Sequence, residues 1–177
     1  YFHIDLVFAA QTINIVDTIC LTVLMGLFIG IMGTVPGHEL VHRKKKKFDM
    51  LMGDWLLAFS WDCAFAVEHV YGHHKNVGIT EEDPVTAKAN ENPILFAIKA
   101  FFREHTHAWG IESRQLKRRK QNIISFRNRL LVGYIRTALI FYFVYTFFGP
   151  LSVLLYFLIG MGANYIFQMT NFIEHYG

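Results

Sequence analysis

Charge is scarce in this sequence. Aspartate, glutamate, lysine and arginine make up 18% of its 177 residues, against about 25% in an ordinary soluble domain. Cysteine is scarcer still, with only Cys20 and Cys63. Two thiols in apolar stretches cannot staple a fold, so a disulfide scaffold is excluded and both read as small buried hydrophobes. There is no internal repeat and no low-complexity linker. The opening residues have no charged stretch before a short apolar core, so no secretory signal is read there. Apolar residues reach 53%, with a mean hydropathy of +0.29. That balance excludes a disordered chain and a nucleic-acid-binding tail, and leaves a single membrane domain over 1–177. Tyr1 and Gly177 both read as cuts through a longer protein.

Two long runs carry no charge at all. Residues 18–37 are 20 uncharged positions, and about 20 residues cross the hydrocarbon core of a bilayer. Residues 137–173 form the second run, with Gly149-Pro150 inside it as a break. This predicts helices over 130–148 and 151–173. Arg136, near the start of the first, is placed to snorkel to the near interface. Residues 1–16 are moderately apolar and read as the end of an earlier helix or as an interfacial segment. The expected fold is all-α, a multi-span integral membrane protein.

Basic residues set the sidedness. Of the 17 lysines and arginines, all but Arg136 lie between Arg43 and Arg129. By the positive-inside rule, 43–129 is cytoplasmic and the 149–150 turn lies on the far side. Residues 50–67 are apolar but carry Asp54 and Asp62. If they crossed the membrane, Arg43–Lys47 and the basic run 114–129 would face opposite sides. They are therefore expected to be interfacial, re-entrant or buried in protein. Within the polar region, 93–107 and 109–122 read as surface helices.

Six of the nine histidines fall in three tight groups. These are His38-Glu39-Leu40-Val41-His42, then Glu68-His69-Val70-Tyr71-Gly72-His73-His74, and finally Glu174-His175. On an α-helix, positions i and i+4 share a face, which pairs His38 with His42 and His69 with His73. His74 is turned about 100° away and suits a second metal or an edge of the site. By the sidedness argument all six emerge at one depth on one side. Clustered imidazoles bind Fe, Zn, Cu or Ni. Glu39, Glu68, Asp83, Asn171 and Glu174 are candidates to hold the ligating rings, since a ligating histidine usually donates its other N–H to a carboxylate or carbonyl. His105 and His107, two apart in a polar stretch, read as solvated.

His38-Glu39-x-x-His42 is also the H-E-x-x-H pattern of zinc proteases, with Glu39 as general base. A catalytic zinc needs three protein ligands and an open position, and six histidines exceed that. A membrane transporter would place its ligands near the bilayer midplane rather than beside basic runs. Redox iron fits an all-histidine set better than hydrolytic zinc.

His38-Glu39-Leu40-Val41-His42-Arg43-Lys44 resembles the first histidine box of the membrane-bound alkane 1-monooxygenases. Residues 68–74, continuing to Glu82-Asp83-Pro84, resemble the second box. Asn171-Phe172-Ile173-Glu174-His175-Tyr176-Gly177 resembles that family's Asn-Tyr-Ile-Glu-His-Tyr-Gly signature. The order and spacing agree from about 18 to 177. Xylene monooxygenases have similar boxes, and fatty acid desaturases share the broader architecture.

The resemblance implies a multi-span membrane enzyme, set in the bacterial inner membrane with its active site facing the cytoplasm. Two non-haem irons are held by histidines, here His38, His42, His69, His73, His74 and His175. One oxygen atom of O2 enters an unactivated C–H bond. Electrons come from a rubredoxin- or ferredoxin-type carrier with its NAD(P)H reductase, and the substrate is a hydrophobic alkyl chain. The runs Arg43–Lys47 and Arg114–Lys120 then meet anionic lipid headgroups or an acidic electron carrier. The family's third box normally follows the His-Tyr-Gly signature, where this sequence ends. The chain is therefore expected to be partial and inactive alone.

Overall fold

A computed structural model describes residues 14–176. The reading of residues 1–16 falls almost wholly outside the described residues. Helix α1 is a single rod, Ile15–His42. It is α-helical over Ile15–Ile29, widens to a π-helical turn at Gly30–Thr34, and is α-helical again over Val35–His42. Asn14 starts it with a capping box to Asp17, each residue satisfying the other's backbone N–H. Helix α2 is Lys47–Phe59. Helix α3 covers 65–76, with a second π-turn at His69–His73. Helices α4 (Pro93–Arg118), α5 (Arg129–Phe148) and α6 (Pro150–Glu174) follow.

The chain is all-helical among the described residues, apart from one isolated bridge between Ala87 and Tyr176. Helices α1, α5 and α6 are each long and apolar enough to cross a membrane. Large side chains such as Leu24, Phe28, Tyr142, Phe143 and Leu151 point outward from them, as a lipid-facing surface requires. The protein is an integral membrane protein. Gly149 sits at φ 84°, a conformation other residues rarely adopt, and Pro150 opens α6 directly after it. That pair ends α5 and reverses the chain.

Helices α2 and α3 form a hairpin laid into the three long helices. Helix α2 leaves the histidine end of α1 and packs back along it, Leu57 lying against Gly37. At its end the Thr34 and Ser60 hydroxyls meet at 3.3 Å, and Tyr156 of α6 donates to the Phe59 carbonyl at 2.7 Å. The turn 60–64 is held deep in the bundle. Trp61, at φ 61°, lays its indole over Gly160, and Cys63 fits against Gly133. Any side chain at 160 would overlap that ring. Helix α3 then returns to the end of α1, and Val41, Leu57 and Phe65 form the core there. Next to lipid, such close packing drives helix association, because moving from acyl chains to protein gains little hydrophobic energy.

Several expectations change. The span read as 18–37 continues to His42, so His38 and His42 lie in the last turns of α1. Residues 93–118 are one helix, not two, because Gly110 in its interior is tolerated. The helix stops where Lys120 takes φ 55°. Arg136 does not snorkel: its Nη1 lies 3.0 Å from Asp54 Oδ2, and each charge offsets the other's burial. Cys63 is buried as expected, but Cys20 is exposed on the outer side of α1.

Candidate metal centre

The six clustered histidines form one connected set of rings. His38 and His42, one α-turn apart at the end of α1, have ring centroids 4.8 Å apart. His69 lies against both, at 4.5 Å and 5.2 Å. One ring nitrogen from each of these three lies within 4.8 Å of the others. His74 joins from the other side, 5.0 Å from the His42 ring. His73 stacks on His69 at 5.1 Å, and His175 lies 4.7 Å beyond His73.

The π-turn corrects the expected place of His74. A π-turn closes i to i+5 rather than i to i+4. It therefore brings His74 back over His69 instead of rotating it away, and their Nε2 atoms stand 3.0 Å apart. Two imidazole nitrogens that close share a proton or a cation. The donor set is entirely imidazole, which fits a transition metal and not calcium or magnesium. Burial, with the neighbouring His38 and His73 next in effect, pushes His69 down to about 2. Burial likewise lowers His74 and His175. Neutral rings are the form that ligates.

The loop between α3 and α4 brings the last histidine in. Asp83 is fully buried, accepting from Val85 N–H through Oδ1 and from His73 Nδ1 and the Thr86 hydroxyl through Oδ2. Burial would raise its carboxyl, but the hydrogen bonds from His73 and Thr86 outweigh it and hold Asp83 below the usual carboxylate range. The same loop clasps the end of α6. Phe172 packs on Phe96 beside Val85 and Ala87, and the Tyr176 hydroxyl accepts from Asn90 N–H at 2.8 Å. His175 is thereby set beside His73.

The other acidic candidates are placed differently. Glu39 and Glu174 are exposed, Glu174 with Oε2 4.0 Å from its neighbour His175. Asn171 is buried, donates to Gln168 Oε1, and its carbonyl accepts the His175 N–H at 3.0 Å. Glu68 bonds none of the six clustered rings. Its Oε1 lies 3.0 Å from His107 Nδ1, because the α-helical turn preceding the π-turn points it at α4. His107 is accordingly partly covered, and so is His105, with Nδ1 3.1 Å from the Tyr134 hydroxyl. Burial drops His105 to about 4.

Sequence reasoning missed a buried polar cluster behind the rings. Asp62, Glu68 and Glu104 are each 1% exposed. Gln168 donates to Glu104 Oε2 at 2.8 Å. Burial raises Asp62 to about 7, and burial together with the charge of Asp62 raises Glu104 well above its ordinary value. The signal was present: Phe96, Ala100, Glu104, Ala108 and Glu112 repeat at the four-residue spacing of one helix face, and all are buried. At one end of the bundle, Lys44 and Arg129 bracket the Tyr71 ring at 4.6 Å and 4.8 Å. The two basic segments therefore meet there.

Comparison with known proteins gives the chain's relatives. Residues 18–177 match the family described as fatty acid desaturase. The alkane 1-monooxygenase of Pseudomonas putida is 34% identical over 169 residues, 94% of this chain and 41% of that protein. That of Ectopseudomonas oleovorans is 38% identical over 143 residues, covering 80% and 35%. Alkane 1-monooxygenase 1 of Alcanivorax borkumensis is 33% identical over 171 residues, covering 96% and 41%. The chain thus spans about two fifths of the length of these curated relatives.

Proposed function

The chain belongs to the fatty acid desaturase family, and from that premise we propose that it is the histidine-bearing part of a membrane monooxygenase. Its reaction is the O2-dependent hydroxylation of a terminal methyl group, on an alkane or alkyl-aromatic, to a primary alcohol. The observation that carries this reading is the single connected set of six histidine rings at one end of three span-length helices. The similarity to alkane 1-monooxygenases supports hydroxylation among the chemistries such a set allows.

His38, His42, His69, His73, His74 and His175 would hold two non-haem irons. Bound there, the irons would supply the reduction of O2 and the oxidising power for C–H cleavage. The protein's own part is to present neutral rings and to shield them on the bundle side. Asp83 keeps the His73 proton on Nδ1, which leaves Nε2 as the ligating atom. Phe65 stacks on His69 at 4.3 Å and meets Phe167 at 5.0 Å, roofing the rings on the bundle side. Electrons arrive from a rubredoxin- or ferredoxin-type carrier with its NAD(P)H reductase, docking on the basic surface around Arg43–Lys47. The protein lies in the inner membrane with this surface towards the cytoplasm, and α2–α3 re-enters the membrane without crossing it.

The family also favours a second reading, desaturation of an acyl chain. One experiment separates these. The full-length protein, purified from membranes, is analysed for metal and given alkane, acyl substrate, O2 and reduced carrier. Two irons per chain with alcohol product is expected. An alkene product would establish the desaturase. One zinc and no iron would overturn both readings and promote the His38-Glu39-x-x-His42 protease.

A further inference from the structure

Helix α4 leaves one face without a protein partner among the described residues. Its inner face carries the buried stripe from Phe96 to Glu112. The opposite face shows Leu95, Ile98, Phe102 and Trp109, with exposures between 37% and 63%. In water such a stripe is an uncovered hydrophobic patch. At a membrane it is the apolar face of an interfacial helix.

The position of α4 decides between the two. It meets α6 at Glu104–Gln168, within about two turns of the α6 histidine end. It meets α5 at that helix's first turns, through Glu112–Arg129 and His105–Tyr134. Helix α4 therefore bridges two spans at the level where they leave the membrane. Past Trp109 its exposed residues become Arg114, Lys117 and Arg118, and the following loop exposes Ile124 and Phe126 beside Arg127. Alternating basic and apolar side chains complement an anionic headgroup layer.

Between α4 and α6 lies an open apolar groove of about 440 Å3, lined by Trp61, Ile98, Phe101, Phe102, Phe157 and Met161. Phe157 and Met161 also face outward from a span-length helix, 43% and 51% exposed. The groove is thus continuous with the lipid-facing surface of α6 and with the exposed stripe of α4. We propose that α4 is embedded in the membrane interface on the histidine side, and that an acyl chain of a membrane phospholipid fills the groove. This rests on the membrane reading and not on the monooxygenase reading. Phospholipid, not alkane substrate, is assigned because the groove opens sideways to the bilayer, where acyl chains are the solvent.

The full-length protein, with Cys20 and any other reactive cysteine replaced by serine, is reconstituted in phosphatidylglycerol–phosphatidylcholine vesicles and spin-labelled at Ile98→Cys, Phe102→Cys or Lys117→Cys. The ratio of oxygen to water-soluble nickel-chelate collisions should be roughly tenfold higher at 98 and 102 than at 117, because only the former sit in hydrocarbon. Should labelling of an apolar position prevent folding, Thr106→Cys, exposed on the same stripe, takes its place. High nickel access at 98 and 102 would overturn the proposal, as would low access to both reagents, which means a protein segment covers the face. For the groove, a phosphatidylcholine with a diazirine in its acyl chain is photolysed and the adducts are mapped. Adducts at Phe101–Phe102 or Phe157–Met161 that persist under saturating alkane are expected. Their absence, or their loss on adding alkane, would overturn the lipid assignment.

Discussion

His73 and Asp83 form a buried pair, with Nδ1 of the first 2.8 Å from Oδ2 of the second and side chains 7% and 0% exposed. The carboxylate is fixed by Thr86 and the Val85 N–H before it reaches the ring. It therefore sets both the tautomer and the tilt of His73. Asp83→Ala should lower metal affinity about 10- to 100-fold, the usual loss when the partner behind a ligating histidine is removed. Asp83→Asn should lose less, since its amide oxygen still accepts from Nδ1. Metal titration of the full-length protein followed spectroscopically reads both values, and equal affinities in the wild type and Asp83→Ala would refute the role.

The ring set makes a contrast among histidines. His69 touches four of the other rings, while His105 is covered by Tyr134 well apart from them. His69→Ala should abolish bound iron and activity together. His105→Ala should keep full iron content, with stability lowered by about 1 kcal/mol for the lost hydrogen bond. Elemental analysis of the two purified variants decides.

Gly160 and Trp61 test the packing of the hairpin turn. A Cβ at 160 would overlap Cε2 of the indole. Trp61 cannot retreat, because Phe157 lies 4.8 Å from its ring on one side and Phe141 5.7 Å on another. Gly160→Ala should therefore destabilise by about 1–3 kcal/mol, the range for overpacking a close-fitted site. Its unfolding midpoint in detergent is the check.

The buried carboxylates give stability a pH dependence. Asp62 has an ordinary value of 3.8 and is raised to about 7 by burial, and Glu104 is raised in the same direction. A raised carboxyl binds its proton more tightly folded than unfolded. The folded state is thus favoured fully below the unfolded value, and stability declines as pH rises to about 7 and beyond. Asp62→Asn is uncharged at every pH. It should flatten that slope and exceed the wild type at about pH 8 by on the order of a few kcal/mol. Thermal unfolding at about pH 5.5 and about pH 8 measures it, and a steeper slope in Asp62→Asn would be the contrary result.

The spans were readable because charge cannot be hidden in a long lipid-facing run, and α5 and α6 begin and end close to where Gly149-Pro150 and Arg129 place them. The six histidines were readable as groups because ligands cluster in sequence. What the sequence hid was phase. Pairing at i and i+4 assumes α-helical turns, and nothing in His69-Val70-Tyr71-Gly72-His73 announces a π-turn. Glu104 and Gln168 were hidden for another reason. Each looks like a surface polar residue until its partner, 64 positions away, is known. Residues 93–118 read as two helices because apolar residues occur on two faces of one helix, one buried along Phe96–Glu112 and one exposed along Leu95–Trp109.

The widened turn at Gly30–Thr34 works as a rotary coupling. Each π-turn absorbs one residue more than the α-helix around it, and one residue is worth about 100° of rotation. The stretch of α1 ahead of the turn and the stretch behind it are therefore clocked separately: the first is aimed by its contact with α6, the second by its fit against α2. Two surfaces with incompatible bearings can share one rod. Shortening this turn by a residue would leave the apolar half where it is and swing His38 and His42 out of the ring set.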